Sequence, residues 1–372
     1  MMSPKHTLTF AFALTLTAAW PAMAQEGSAL SPRVVNEAAV PTVMAKAVDD
    51  FIIPGYRNLT EKTAAATQAT AKLCEAPSQP ALQNTQRAFS DLVGAWSAIE
   101  VVRLGPALEQ NRFERFLFYP DRKSTGLKQV QAIVLKKDES ATDEAKLKGK
   151  SVAAQGLGAL EYVLYGTGAE TLLNKEGDFR CRYGLAITRN LDIIANEFLA
   201  AWQKPDGIQA AWKHPGPDNP EFRDNREAAT ELLGILVHGV ETVKDQRLKP
   251  FYEGKNDKGH PKLAIYWRSG NTMASIAANV RGLKTLFDAA DMQSLLPEDS
   301  RSVAGSADFV FKSVIGAAGN IDGPIDAALA DDDKRAKLAF LSLNTNDLLN
   351  RLNNDFGGAI GLGAGFSFAD GD

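Results

Sequence analysis

The residues with the most chemical potential lie in the run Gln155-Gly156-Leu157-Gly158-Ala159-Leu160-Glu161-Tyr162. On a helix, Leu157, Leu160 and Leu164 share an apolar face, while Gly158 and Glu161 fall on an adjacent stripe. Glu161 is then a carboxylate beside a position without a side chain. Such a group can hold a cation, accept hydrogen bonds or pair with an arginine. Close helix packing at Gly158, with Glu161 in a structural pair, explains the same residues equally simply.

His238 and Glu241 are spaced i, i+3, so one helix face can present both to a metal ion. Two ligands make a weak site, and zinc takes three or more from protein. Glu161 is the candidate third. An ordinary polar helix face accounts for the pair without a metal. Beyond residue 24 the chain has three histidines, His214, His238 and His260, which excludes a histidine-rich centre. There is no H-E-x-x-H motif, no G-x-S-x-G elbow and no complete phosphate loop.

Two further segments carry polar chemistry. Arg103, Arg112, Arg115 and Arg122 are interleaved with Glu114, Phe116, Phe118, Tyr119 and Asp121. Arginines in irregular chain can clamp an anion, or they can neutralise Glu161 and Asp121 in a buried network. Tyr266-Trp267-Arg268-Ser269-Gly270-Asn271-Thr272 joins aromatics, a cation and small polar groups near a possible helix start, where free N–H groups meet ligands. A capped helix start is the plainer account.

These residues must be positioned by helices. Ala-, Leu-, Lys- and Glu-rich stretches dominate, and period-2 alternation is scarce. The spacing predicts helices from Val34 to Cys74 (interrupted at Pro54-Gly55) and from a Ser78 cap through Phe89, Leu92, Val93, Trp96 and Ile99 to a stop at Gly105-Pro106. Further helices are expected after Ser124, from Thr142 to Tyr165 and from Arg180 to Trp202. Others are expected near 221–249, 262–292, 301–318 and 334–356, the last with Asp331-Asp332-Asp333 at its start. The Pro-, Gly- and Asp-rich stretch 205–220 is the natural linker. The expected architecture is all-α, with two helical bundles at 25–204 and 221–372, the second ending in a Gly-rich tail.

Hydrophobic residues make up 45% and charged residues 23% of the 372, enough to bury a sizeable core. Residues 1–24 read as a cleavable secretory signal, with Lys5 and His6 before the apolar stretch Leu8–Trp20 and an Ala22-Met23-Ala24 cleavage site. Without them 40 basic residues face 45 acidic ones, which argues against a nucleic-acid binder. Export places the two cysteines, Cys74 and Cys181, in an oxidising compartment. A single disulfide is the expectation there, worth at most roughly 4–5 kcal/mol for so long a loop, with two buried thiols as the alternative.

In order along the chain, Ala95-Trp96, Arg103-Leu104-Gly105-Pro106, Asn111-Arg112-Phe113-Glu114-Arg115, Tyr119-Pro120-Asp121-Arg122 and the run from Gln155 to Tyr162 resemble the imelysin-like proteins, a group first classed as metallopeptidases. Lys244-Asp245-Gln246-Arg247-Leu248, Trp267-Arg268-Ser269-Gly270, Gly365-Phe366 and Asp370-Gly371-Asp372 continue the likeness. The resemblance implies two helical bundles related by duplication, a functional site at their interface, an outer-membrane or periplasmic setting and a link to iron acquisition. Family members typed as peptidases carry G-x-H-x-x-E. Here Gly156 and Glu161 match its Gly and Glu, but Gly158 stands where the His belongs, and a glycine supplies no ligand.

The chain is therefore expected to be a binding or accessory protein of iron uptake rather than a working peptidase. Trp96, Arg103, Arg115, Asp121, Gln155, Glu161, Trp267, Arg268 and Ser269 are the expected ligand-binding residues, and Glu161, His238 and Glu241 the candidate metal ligands. The expected ligand is iron, another divalent ion or a small molecule. The rival readings are a metallopeptidase using Glu161 with His238, and an interaction module docking to a membrane partner of an uptake system.

Overall fold

Pro54 has no N–H to give to an α-helical ladder. In the computed structural model the turn before it, Ala47–Ile52, is wound as π-helix, between a helix at Val40–Lys46 and helix α1, Ile53–Glu75. The structure describes residues 1, 33–121, 123–254 and 258–365. The chain divides into two units, Met1–Pro32 and Arg33–Asp372. The secretory signal expected over 1–24 lies outside the described residues, Met1 apart, as do Arg122, Phe366 and Asp370-Gly371-Asp372.

The described residues are all-α, without a strand. Ser78 accepts a hydrogen bond from the Ala81 N–H and starts helix α2, Gln79–Ile99. Its apolar stripe, Phe89, Leu92, Val93, Trp96 and Ile99, is buried throughout. The helix ends at Ile99, well before Gly105-Pro106. Helix α3, Leu157–Tyr165, and helix α4, Asp178–Gln203, complete the first half, with α1 packed between α2 and α4. The Cys74–Cys181 disulfide ties α1 to α4.

The expected single helix from Thr142 to Tyr165 is broken. Asp143 caps a short helix, Glu144–Lys148, and α3 begins only at Leu157. Gly149, Ser151 and Gly156 fall in the break. Stretch 205–220 is not a free linker either. It carries helix Ile208–Lys213, and the buried Trp212 ring meets Trp202 at 5.6 Å and Phe222 at 5.5 Å. Packing therefore continues through the expected boundary between bundles.

In the second half, α5 (Asn225–Glu241) runs into a π-helical segment, Thr242–Leu248. Helices α6 (Thr272–Ala289), α7 (Ser302–Gly319) and α8 (Asp332–Asn350) follow, and Asp331 caps the last. The helix expected over 262–292 starts only at Thr272, which frees 264–271 as loop. The two halves meet where α6 crosses α2. A Cβ on Gly282 would lie 2.0 Å from the Ala98 carbonyl oxygen, so only glycine allows that approach.

Candidate functional site

Two glycines of the 155–162 run have opposite reasons for being there. A Cβ on Gly156 would sit 2.4 Å from the Phe116 carbonyl oxygen and 2.7 Å from that of Arg115. Glycine is needed to bring the start of α3 against the 115–116 backbone. A Cβ on Gly158 would meet nothing within 4 Å. Gly158 and Glu161 both face a cavity of about 370 Å³, whose walls come from 117–162 and from 245–268.

Glu161 is only 4% exposed. Its Oε1 accepts from the Ser269 backbone N–H at 3.0 Å and from Ser269 Oγ at 2.8 Å. Ser269 Oγ is also 3.1 Å from the Tyr266 carbonyl oxygen, but its one proton is better used on a carboxylate. Arg268 Nη1 lies 3.9 Å from Oε2. Burial pushes the Glu161 carboxyl above its ordinary value, and the Ser269 hydrogen bonds and the Arg268 charge offset this in part. The Arg268 guanidinium lies 4.4 Å from the Trp267 ring and 5.8 Å from that of Tyr162.

The loop that delivers these partners is strained. Tyr266 has φ +55°, a region that costs a bulky residue energy and that marks functional sites when the surroundings enforce it. Its hydroxyl is buried and has no hydrogen-bond partner among the described residues, although the residue lines the cavity. Burial raises the Tyr266 phenol well above its ordinary value and raises Tyr119 as well, so both remain protonated donors at neutral pH. The cavity thus offers a shielded carboxylate and a guanidinium stacked on aromatics. That set suits a compact polar ligand with acceptor groups.

The expected ligand residues divide three ways. Asp121, Glu161, Trp267 and Arg268 line this cavity, and Ser269 holds Glu161 from behind. Asp121 also accepts from the Leu127 N–H at 2.9 Å, at the start of helix Thr125–Lys136. Trp96, Arg115 and Gln155 do not reach it. Trp96 stacks on Phe116 at 4.2 Å in the core. Arg115 donates to Gln155 Oε1 at 3.1 Å and to Asn190 Oδ1 at 3.0 Å, while Gln155 Nε2 ties down the Lys148 and Lys150 carbonyls. This network is architectural. Arg103 pairs with Glu114 at 3.2 Å beside a second cavity, and Arg112 pairs with Glu109 and Glu197. Arg103 and Arg112 thus pair with Glu114, Glu109 and Glu197, and Arg115 bonds amides.

The expected metal set is not assembled. His238 Nδ1 lies 2.8 Å from Glu241 Oε2, and His238 faces the second cavity, not the one that holds Glu161. Among the described residues no three His, Cys, Asp or Glu side chains form a metal-holding group. Tyr119 and Tyr266 were not singled out as site residues from sequence. Their signal was the aromatic content of two segments already noted, but neither the left-handed turn at 266 nor the free hydroxyl is encoded in spacing.

Comparison with known proteins gives a consistent picture. The Imelysin family model matches residues 52–352. An imelysin-like protein from Psychrobacter arcticum 273-4 superposes with a TM-score of 0.72 at 22% identity, covering 90% of this chain and 99% of its own. A protein from Parabacteroides distasonis ATCC 8503, named as an iron-regulated protein A precursor, superposes with a TM-score of 0.71 at 16% identity, covering 89% and 96%. At these identities the superpositions establish the fold. A search of curated proteins found no match.

Proposed function

Since the chain belongs to the imelysin family, we propose that it is an exported binding component of iron acquisition that holds a small ligand in the cavity around Glu161. The observation that carries this reading is a buried carboxylate, already hydrogen-bonded by Ser269, at the wall of a cavity into which the side-chain-free Gly158 opens. The iron-regulated name of the Parabacteroides neighbour and its description as a precursor support the iron link and export. The Cys74–Cys181 disulfide is in keeping with the periplasm. No described helix is long and apolar enough to cross a membrane.

The ligand best suited to the cavity is a metal chelate that brings its own donor atoms. A bare ion wants several protein ligands, whereas Arg268 is a donor for the anionic or carbonyl oxygens of a chelate. Delivery to a membrane protein of the uptake system is the matching role. The test is calorimetry on the mature chain with ferric, ferrous, cupric and zinc ions and with ferric chelates. Micromolar binding of a chelate, weakened about tenfold or more in Arg268→Ala, is expected, since one charge-assisted contact is worth about 1.5–3 kcal/mol. Failure of the wild type to bind any of them would remove the small-ligand reading. Mass spectrometry of a periplasmic fraction checks export, with Gln25 expected as the first residue.

A further inference from the structure

The polar groups of the Glu161 cavity account for only part of its wall. The Arg268 guanidinium makes no hydrogen bond among the described residues and stands 3.9 Å from Glu161 Oε2. Its contacts with the Trp267 and Tyr162 rings use the face of the group, so its N–H edge remains for an oxygen acceptor. Much of the remaining wall is apolar and includes Phe118, Leu127, Val130 and Leu263. Phe118 and Leu263 are 36% and 49% exposed, and they come from segments held together at the cavity. The Tyr119 hydroxyl donates to the Leu263 carbonyl oxygen at 3.0 Å. Tyr119 also borders the second cavity, so the same ring limits the first cavity on that side. Packing places the Phe118 ring as well, since a Cβ on Gly126 would come 3.3 Å from its Cδ1.

A ligand made only of oxygen donors would satisfy Arg268 and leave the apolar wall in water. Apolar surface grouped at one cavity calls for an apolar part of the ligand to cover it. We propose that this cavity selects an anionic chelate built on an aromatic ring with adjacent oxygen donors, of the catecholate type, over an aliphatic polycarboxylate chelate. This rests on the reading that the cavity holds a chelate and adds which chemical class it prefers. The oxyanion meets Arg268, and the ring covers Phe118 and Leu263. The cavity of about 370 Å³ is at the low end of the roughly 300–1,000 Å³ usual for small-molecule sites, which suits a compact complex rather than a large cage.

The mature wild-type chain is titrated by calorimetry with the ferric complexes of 2,3-dihydroxybenzoate and of citrate. The aromatic complex is expected to bind at least about tenfold more tightly, through the apolar area that its ring covers. Phe118→Ser should weaken the aromatic complex about tenfold and leave the citrate complex within about twofold of its wild-type affinity. Leu263→Ser repeats the test from the other segment without touching the contact between Phe118 and Gly126. Arg268→Ala should weaken both complexes, because both are anionic. A citrate complex that binds as tightly as the aromatic one, or equal losses for the two complexes in Phe118→Ser and Leu263→Ser, overturns the proposal and leaves the chelate reading in place. Binding of neither complex by the wild type removes that reading and this proposal with it.

Discussion

Ser269 donates twice to Glu161 Oε1, from its backbone N–H at 3.0 Å and its hydroxyl at 2.8 Å, across 108 residues of sequence. This contact binds the 264–271 loop to α3 and turns a carboxylate that could have been lost in a helix interface into part of a cavity wall. It also fixes which oxygen is spent on the protein. Oε1 carries both bonds, and Oε2 faces Arg268 at 3.9 Å.

The first prediction concerns pH. Burial holds the Glu161 carboxyl above its ordinary value, so the folded chain keeps a proton that the unfolded chain gives up. Where the unfolded state binds fewer protons, stability falls as pH rises. This contribution is complete below the ordinary carboxylate pKa and is lost as pH climbs through the raised folded value. Glu161→Gln cannot ionise. Its melting temperature should gain on the wild type by a few degrees as pH rises from 4 to 8. Melting curves that stay parallel across that range would show that Glu161 is not an unfavourably buried charge.

The second prediction separates the two glycines of α3. Gly156→Ala drives a Cβ into two carbonyl oxygens and should cost about 1–3 kcal/mol or more, measured by urea unfolding. Gly158→Ala meets nothing and should be neutral or stabilise by up to about 1 kcal/mol. Gly158→His places an imidazole beside Glu161 in the pattern of the peptidase-typed relatives. It should gain about tenfold in zinc affinity by calorimetry, since it adds a ligand of the right type. Equal destabilisation by both alanine variants would mean that Gly158 does not open on a cavity.

How far the sequence reached depends on which interactions are local. The helices around Phe89, Leu92, Val93 and Trp96 and the Ser78 and Asp331 caps are set by neighbours within a turn or two, and they were legible. Glu161 beside an empty position was legible for the same reason. Its partners at 268 and 269 lay in a segment that reads as chemically rich, but the contact depends on a left-handed Tyr266 and on a helix starting at Thr272, where 262 was expected. Trp96, Arg115 and Gln155 were misplaced because motif membership does not distinguish a residue that shapes a site from one that touches it. His238 and Glu241 are neighbours on one helix face as read, but helix period says nothing about which cavity that face meets.

A third prediction follows from the disulfide that joins α1 to α4 over a separation of 107 residues. Such a link restricts the unfolded chain, and its loss typically costs about 2–4 kcal/mol. The double variant Cys74→Ser, Cys181→Ser should unfold at correspondingly lower urea. Reducing agent should weaken the wild type and leave the double variant unmoved. An unchanged midpoint in the double variant would show that packing of α1 on α4 alone determines this half.

The Glu100–Arg247 pair gives the last prediction. Both side chains are buried, 4% and 3% exposed, and the Arg247 guanidinium lies 4.9 Å from the Tyr119 ring that separates the two cavities. Removing one partner strands the other charge away from water. Glu100→Gln or Arg247→Met alone should therefore cost about 3–5 kcal/mol in urea unfolding. Together they remove both charges and should cost less than the sum of the single changes. The shortfall is the coupling between the residues. Simple addition would mean that the charges are already screened, and that the wall between the cavities owes its position to Tyr119 packing rather than to the ion pair behind it.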